Sequence, residues 1–336
     1  MIRDAITKLM NGKNLSRMES RLVMNEILEN KATDAQISAY LVALRMKGET
    51  VDEITGSAEA LTGKSKTVHL EYENVVDICG TGGDNLNTFN ISTTAAIVTA
   101  GAGVHVAKHG TRSVSSKCGS ADILRTLGVN INLTKPRIER CLAEVGLTFV
   151  FSQKFQKSAP YAFGPRREIG ARTIFNILST LTNPARIRRQ VIGVYDRSLM
   201  HTVIEVMREL GAVQVMVVHG EEGLDEITIS GKTYVIELID GQIYEYEITP
   251  ENFALRSAPL TEIQTGSCEQ TKQIIMDILK GKRGPARDVV LLNAGAAIKV
   301  SGKVDSLQEG IALAQKSIDE GAALNRLNRL IEVSNK

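Results

Sequence analysis

No run of aromatic residues and no long basic stripe occurs in this chain, so a nucleic-acid-binding surface has little to build on. Aromatics make up 4% of its 336 residues, and the formal net charge is only +2. None of the four cysteines (Cys79, Cys118, Cys141, Cys268) falls in a CxxC pair. That spacing argues against a zinc site and a disulfide framework, and the expectation is four reduced thiols. The five histidines show no HExxH or other metal-ligand spacing. The first residues, MIRDAITKLMNGKNLS, are polar and acidic where a signal peptide needs an apolar core. The most apolar stretch, AAIVTAGAGVHVA, is too short and too rich in glycine to span a bilayer. What remains is a soluble globular protein, expected in the cytoplasm, and long enough for one large domain or two smaller ones.

The first 65 residues read as helix only. Three capping boxes precede apolar stripes: Ser16 with Glu19, Thr33 with Gln36, and Thr50 with Glu53. Behind the first, Met18, Leu22, Val23 and Ile27 are expected on one buried face. Gly48 fits a helix stop. From Val75 the pattern changes to short β-branched runs, VVDIC, VHVAK, LTFVF, QVIGVY and VQVMVVHG, separated by helical segments. Such alternation argues for an α/β sheet with mostly parallel strands. RREIGARTIFNILSTLTNPA interrupts it with helix that would rejoin the N-terminal module. EITISGKTYVIELIDGQIYEYEIT reads as strands joined by SGK and DG turns. The chain closes in helix. The expected domains are 1–66 joined by 165–185, and 72–164 with 186–336.

Three stretches carry chemistry. In DICGTGGDNLNTFNISTT, residues 77–94, Gly80, Gly82 and Gly83 let a ligand approach the main chain. Asn90 or Ser92 can cap the next helix, whose free N–H groups attract anions. A tight strand-to-helix turn would explain the same residues. There is no Gly-Lys-Ser/Thr ending and no GxGxxG with a following acid, which sets aside the P-loop and the dinucleotide fold. The second stretch, KHGTRSVSSKCGSAD at 108–122, also leads from strand to helix. It brings Lys108, Arg112 and Lys117 together with Ser113, Ser115, Ser116 and Ser120. Two hydroxyl-rich loops at neighbouring strand ends point to a polyphosphate. The third is the adjacent pair Asp225 and Glu226, placed before a strand, which suits Mg²⁺ beside phosphate oxygens. Arg186, Arg188 and Arg189 read as a solvated face.

Together GTGGD…TFNIST, KHGxRSxSSKxGSAD, RRExGxRTIFN and the downstream DE pair resemble the anthranilate phosphoribosyltransferases, over essentially the whole chain. The resemblance implies a small all-helical domain plus a large α/β domain with a central, mostly parallel sheet, an architecture shared with pyrimidine nucleoside phosphorylases. It implies a Mg²⁺-dependent homodimer that transfers phosphoribosyl from phosphoribosyl pyrophosphate (PRPP) to a small aromatic acceptor, without nucleic acid or membrane as partner. By position, Gly80, Gly83, Asp84, Thr88, Asn90, Ser92, Thr93, Lys108, Ser116 and Ser120 would hold PRPP. Ser92, Asp225 and Glu226 would hold the metal. Gly80, His109, Thr111, Arg166 and Thr180 would face the acceptor, with His109 and Arg166 as the catalytic pair and His109 a candidate proton acceptor.

The acceptor half departs from the family pattern. Thr111 replaces an asparagine, Thr180 replaces a proline, and FQKSAPYAF stands where a HPAMK-like segment is usual. Three readings follow: transfer to anthranilate in tryptophan biosynthesis, the same chemistry on another aromatic carboxylate, or a non-catalytic paralogue that binds a phosphorylated ligand or nucleic acid.

Overall fold

The computed structural model describes residues 1–111, 118–156 and 159–336. The chain opens with four helices, α1 (Ile2–Met10), α2 (Arg17–Leu28), α3 (Asp34–Lys47) and α4 (Val51–Lys64). All three expected capping boxes form, with side chain and backbone exchanging bonds in each, and Gly48 ends α3 at φ 90°. Helices α2 and α4 approach so closely that a Cβ on Gly56 would sit 2.1 Å from the carbonyl oxygen of Arg17. The stripe expected on α2 is rotated. Val23, Met24, Ile27 and Leu28 are buried, whereas Met18 is 53% and Leu22 38% exposed. A window of four apolar positions fits two neighbouring faces of one helix, and the packing against α4 selects one of them.

The remainder alternates strand and helix. In order it runs β1 (Val76–Gly80), α5 (Ile91–Gly101), β2 (Val106–Gly110), α6 (Ser120–Thr126), α7 (Lys135–Val145), β3 (Leu147–Phe151) and α8 (Ser152–Phe155). Then follow α9 (Phe163–Ile169), α10 (Ile174–Leu181), β4 (Arg189–Gly193), α11 (Met200–Glu209) and β5 (Gln214–Gly220). A hairpin of β6 (Thr233–Ile239) and β7 (Gln242–Ile248) precedes α12 (Cys268–Leu279), α13 (Pro285–Val300), α14 (Leu307–Asp319) and α15 (Ala322–Asn335). The seven-stranded sheet has the order β3-β2-β1-β4-β5-β6-β7. It is parallel from β3 to β5 and antiparallel at the β6–β7 edge. Asp240 and Gly241, at φ 47° and 85°, make the two-residue turn of that hairpin.

EITIS is not a strand. Ile227 donates its N–H to Asn293 Oδ1 and receives the Asn293 amide on its carbonyl, and Thr228 N–H goes to Thr233 Oγ1. With those groups satisfied by side chains, no ladder forms, and Asp225 and Glu226 lie in a buried loop between β5 and β6.

Residues along β5 alternate between two cores, as the strand period requires. Met216 and Val218 join α5, α13 and α15 on one face. Val215 and Val217 face α11, α10 and the N-terminal helices. The helical module therefore shares a core with one face of the sheet.

The expected set of four free thiols is corrected. Cys118 and Cys268 form a disulfide, and only Cys79 and Cys141 remain as buried thiols. The two partners are 150 residues apart, so local spacing carries no sign of the pair. It arises because the start of α6 meets the start of α12.

No helix among the described residues is long and apolar enough to cross a membrane.

Candidate active site

Strand order reverses between β1 and β4, where an open α/β sheet forms a crevice beyond its strand ends. Both strands end in glycine there, Gly80 paired with Gly193. From Gly80 the chain turns through Gly82, Gly83, Asn85 and Asn87, all at positive φ. Glycine and asparagine are the residues that tolerate that region. The loop ends at α5, with Asn90 in the N-cap position.

Asn90 does not cap with its side chain. Its Nδ2 donates to the Cys118 carbonyl at 3.1 Å, which ties the first loop to the start of α6. Among the described residues, Asn90 Oδ1 and Thr93 Oγ1 are buried without a hydrogen-bond partner. Two orphaned polar atoms at a helix N-terminus are what a bound anionic ligand would satisfy. Lys108, buried in the middle of β2, donates to the Ile78 carbonyl and to Ser92 Oγ at 3.2 Å. Thr88 bridges to Gln264. Ser120 begins α6, its hydroxyl packed over Gly110. Ser116 lies outside the described residues, as do Arg112, Ser113, Ser115 and Lys117.

Asp225 and Glu226 close the crevice from above. Asp225 Oδ2 accepts from Gly82 N–H at 2.6 Å, and Glu226 Oε1 from Ser92 N–H at 3.2 Å. Burial, then Asp84 and Glu226 beside it, push the Asp225 carboxyl well above the usual range. Burial likewise lifts Glu226 to about 7, against the pull of Lys108 and the Ser92 bonds. Three carboxylates crowded beside a phosphate-shaped loop are a donor set for a hard divalent cation, which would relieve their repulsion. The residues present fit Mg²⁺. Asp77, Cys79 and His109 also place ligand atoms within 4.8 Å of one another. That cluster is accounted for without an ion: His109 bonds Asp77, and Cys79 Sγ donates to the Thr180 carbonyl at 3.6 Å.

On the helical side of the sheet, a cavity of about 70 Å³ is lined by Thr111, Phe163, Arg166, Phe175, Leu178 and Ser179, among others. Arg166 stands 5.0 Å over the Phe175 ring, half-buried, a cation beside an aromatic wall. Thr111 and Arg166 thus meet as the sequence suggested. Thr180 does not line the cavity: it is buried, with Oγ1 donating to the Ile177 carbonyl at 2.7 Å. His109 is buried behind the same helix, its Nε2 2.7 Å from the Ser179 carbonyl. The arginine cluster is largely structural, since Arg188 bonds the Gly211 carbonyl and Arg189 bonds Gln214 and the Val300 carbonyl.

Sequence reasoning missed two residues. Arg172 crosses from the helical side to donate to the Gly83 carbonyl, its guanidinium 3.5 Å above the Tyr195 ring. It stands in the quoted RTIFN motif, which was the available signal. Asp77, at the head of the glycine stretch, carries four hydrogen bonds that no local pattern announces.

This two-part architecture is that of a glycosyl transferase: the family's a/b domain matches residues 72–324 and its helical bundle domain residues 3–64. The anthranilate phosphoribosyltransferase of Petrotoga mobilis is 49% identical over 330 residues, covering 98% of this chain and 96% of that protein. A crystal structure of the Thermus thermophilus enzyme of that name superposes with a TM-score of 0.94 at 36% identity, over 99% of this chain and 100% of that one. The Saccharomyces cerevisiae enzyme, solved in complex with PRPP and Mg, matches with a TM-score of 0.90 at 26% identity, over 99% and 98%. The chain belongs to the anthranilate phosphoribosyltransferase family.

Proposed function

We propose that this protein transfers the 5-phosphoribosyl group of PRPP to the amine of anthranilate and releases pyrophosphate, a step of tryptophan biosynthesis. One observation carries the reading: the buried carboxylates Asp225 and Glu226 face a glycine and asparagine loop that carries the half-buried Asp84 and whose helix start leaves Asn90 Oδ1 and Thr93 Oγ1 unpaired among the described residues. An anionic sugar polyphosphate with its divalent cation supplies what both sides lack.

In this reading the loop 80–93 and Lys108 hold the phosphates, with Ser116 and Ser120 from the second loop. Ser92, Asp225 and Glu226 hold Mg²⁺, which when bound supplies positive charge next to the departing pyrophosphate. Arg166 takes the acceptor carboxylate as a two-pronged donor. The amine nitrogen forms its bond to C1 as the C1–oxygen bond to pyrophosphate breaks, through an oxocarbenium-like sugar. An aromatic amine keeps a free lone pair, so orientation in line with C1 matters more than prior deprotonation.

We also read residues 1–66 with 165–185 as one body that carries the acceptor side, since α9 and α10 pack on α3, and α10 also on α4. The same reading makes the protein a cytoplasmic homodimer. Met18 and Leu22 on α2 and Met46 on α3, all exposed, are apolar surface that a second copy would cover.

The test is to incubate the protein with PRPP, Mg²⁺ and anthranilate, following anthranilate fluorescence and pyrophosphate together. Equal consumption and release is the expected result. Pyrophosphate release only with a different aromatic carboxylate would select the second reading, which Thr111 at the cavity wall favours. No PRPP turnover with any acceptor would overturn both.

A further inference from the structure

The floor behind the acceptor cavity is a buried polar cluster. Asp77, on β1, is fully buried, and its carboxylate accepts the His109 N–H at 3.1 Å and the His109 ring at Nδ1. It also accepts the amides of Asn183 at 2.9 Å and Gln190 at 3.0 Å. The other ring nitrogen, Nε2, points at the Ser179 carbonyl 2.7 Å away. A carbonyl oxygen and an ionised carboxylate can only accept. Both ring nitrogens therefore carry hydrogens, and His109 is an imidazolium.

Its surroundings agree. Ser179 belongs to the last turn of α10, where carbonyls lack helical partners and carry partial negative charge. Burial alone would drive the ring neutral, but Asp77 outweighs it and His109 titrates above the ordinary histidine range. Burial would raise Asp77, yet His109 holds it below the usual carboxylate range. The other ionisable groups near the ring are Cys79 on β1 and Lys108, the preceding residue of its own strand, whose side chain leaves the opposite face to bond the Ile78 carbonyl and Ser92. Neither can neutralise Asp77 from the Nδ1 side. Cys79 donates its thiol hydrogen to the next carbonyl of α10, that of Thr180.

A ring with both nitrogens protonated offers no lone pair, so His109 in this state takes no proton from an attacking amine. What it does is hold a wall. Phe175, Leu178 and Ser179 of α10 line the cavity, and two successive carbonyls of that helix are gripped from the sheet. We propose that Asp77 is a positioning residue of the acceptor cavity, acting through a His109 ring that donates from both nitrogens and pins the last turn of α10. Asn183 and Gln190 complete the shell that keeps Asp77 aimed. The inference rests on the cavity being the acceptor site.

Two measurements test it. In protein carrying ¹⁵N-labelled histidine, His109 is expected to show both ring nitrogens protonated at pH 7, its titration displaced upward from that of an ordinary histidine. In Asp77→Asn the ring is expected to return to a neutral form. KM for anthranilate should then rise about tenfold while KM for PRPP stays within about twofold, a split that general loss of structure does not produce. Should Asp77→Asn not fold, Asn183→Ala loosens Asp77 and is expected to shift KM in the same direction by about threefold. A neutral His109 ring in the wild type at pH 7 would overturn the proposal. So would variants that lower kcat with both KM values unchanged. Absence of anthranilate turnover by the wild type would instead overturn the acceptor reading, and the ring signals would still decide the protonation of His109.

Discussion

A Cβ built on Gly193 would lie 1.6 Å from the carbonyl oxygen of Asp225. The loop that carries the acidic pair thus rests directly on the end of β4, and on Gly80 beside it, where a Cβ would meet Asp225 Oδ2 at 2.3 Å. Glycine is required here by close approach and not by φ, since neither residue has a positive φ. Gly193→Ala is expected to cost about 3 kcal/mol, because backbone must move against backbone. Urea unfolding measures it. A loss under about 0.5 kcal/mol would show that the loop backs away freely.

Gly80→Ala meets mainly a side chain, so its effect should fall on function. Displacing the Asp225 carboxylate is expected to weaken Mg²⁺-dependent PRPP binding about tenfold, with a smaller loss of stability than at Gly193. Calorimetry with PRPP and Mg²⁺ would reveal it, and unchanged binding would detach Gly80 from the metal side of the site.

The acidic pair should show opposite signs for stability and activity. Asp225→Asn with Glu226→Gln is expected to lower turnover by at least about 10³-fold, as the carboxylates that would hold the cation beside the pyrophosphate are removed. In metal-free protein the same change removes the burial cost, and with it the smaller repulsion from Asp84, that raises both carboxyls. Its melting temperature in chelator should rise by roughly 2 °C or more. A fall in chelator, with wild-type turnover in Mg²⁺, would refute the assignment.

The glycine loop was legible because its residues are contiguous. Glycines, asparagines and the helix cap fall within residues 77–94, and the strand order places that loop at the sheet's crevice. The acidic pair was legible as a motif but misplaced as structure, since alternation in EITIS suggests a strand that Asn293 replaces with side-chain bonds. Asp77 reaches His109, Asn183 and Gln190, 32 to 113 residues away. Arg172 reaches Gly83 across 89. Such partners leave no periodic trace, and the same holds for the disulfide.

Arg172 joins the helical side to the glycine loop proposed for PRPP through one carbonyl and one aromatic face. Lysine can supply the charge but neither the planar stack nor the fork of donors. Arg172→Lys is expected to raise KM for PRPP about fivefold with anthranilate KM little changed. Initial-rate kinetics separate the two, and equal shifts in both would make Arg172 a general structural contact.

The Cys118–Cys268 bond sits beside the glycine loop, for the Cys118 carbonyl is the acceptor of Asn90 Nδ2. In a reducing compartment such a bond persists only if its thiols are poised to re-form it. Thiol titration under denaturing conditions should find two free cysteines before treatment with a dithiol and four after it, the dithiol being oxidised as the bond takes up two electrons. Closing a loop of 150 residues, the bond should contribute up to about 4 kcal/mol. Reduction, or Cys118→Ser with Cys268→Ser, is therefore expected to lower the urea midpoint. It should also raise KM for PRPP a few-fold as the Asn90 tie loosens, while leaving the acceptor side unaffected because, among the described residues, no bond from this pair reaches α10. Four free thiols in untreated protein would remove the bond, and the PRPP effect with it.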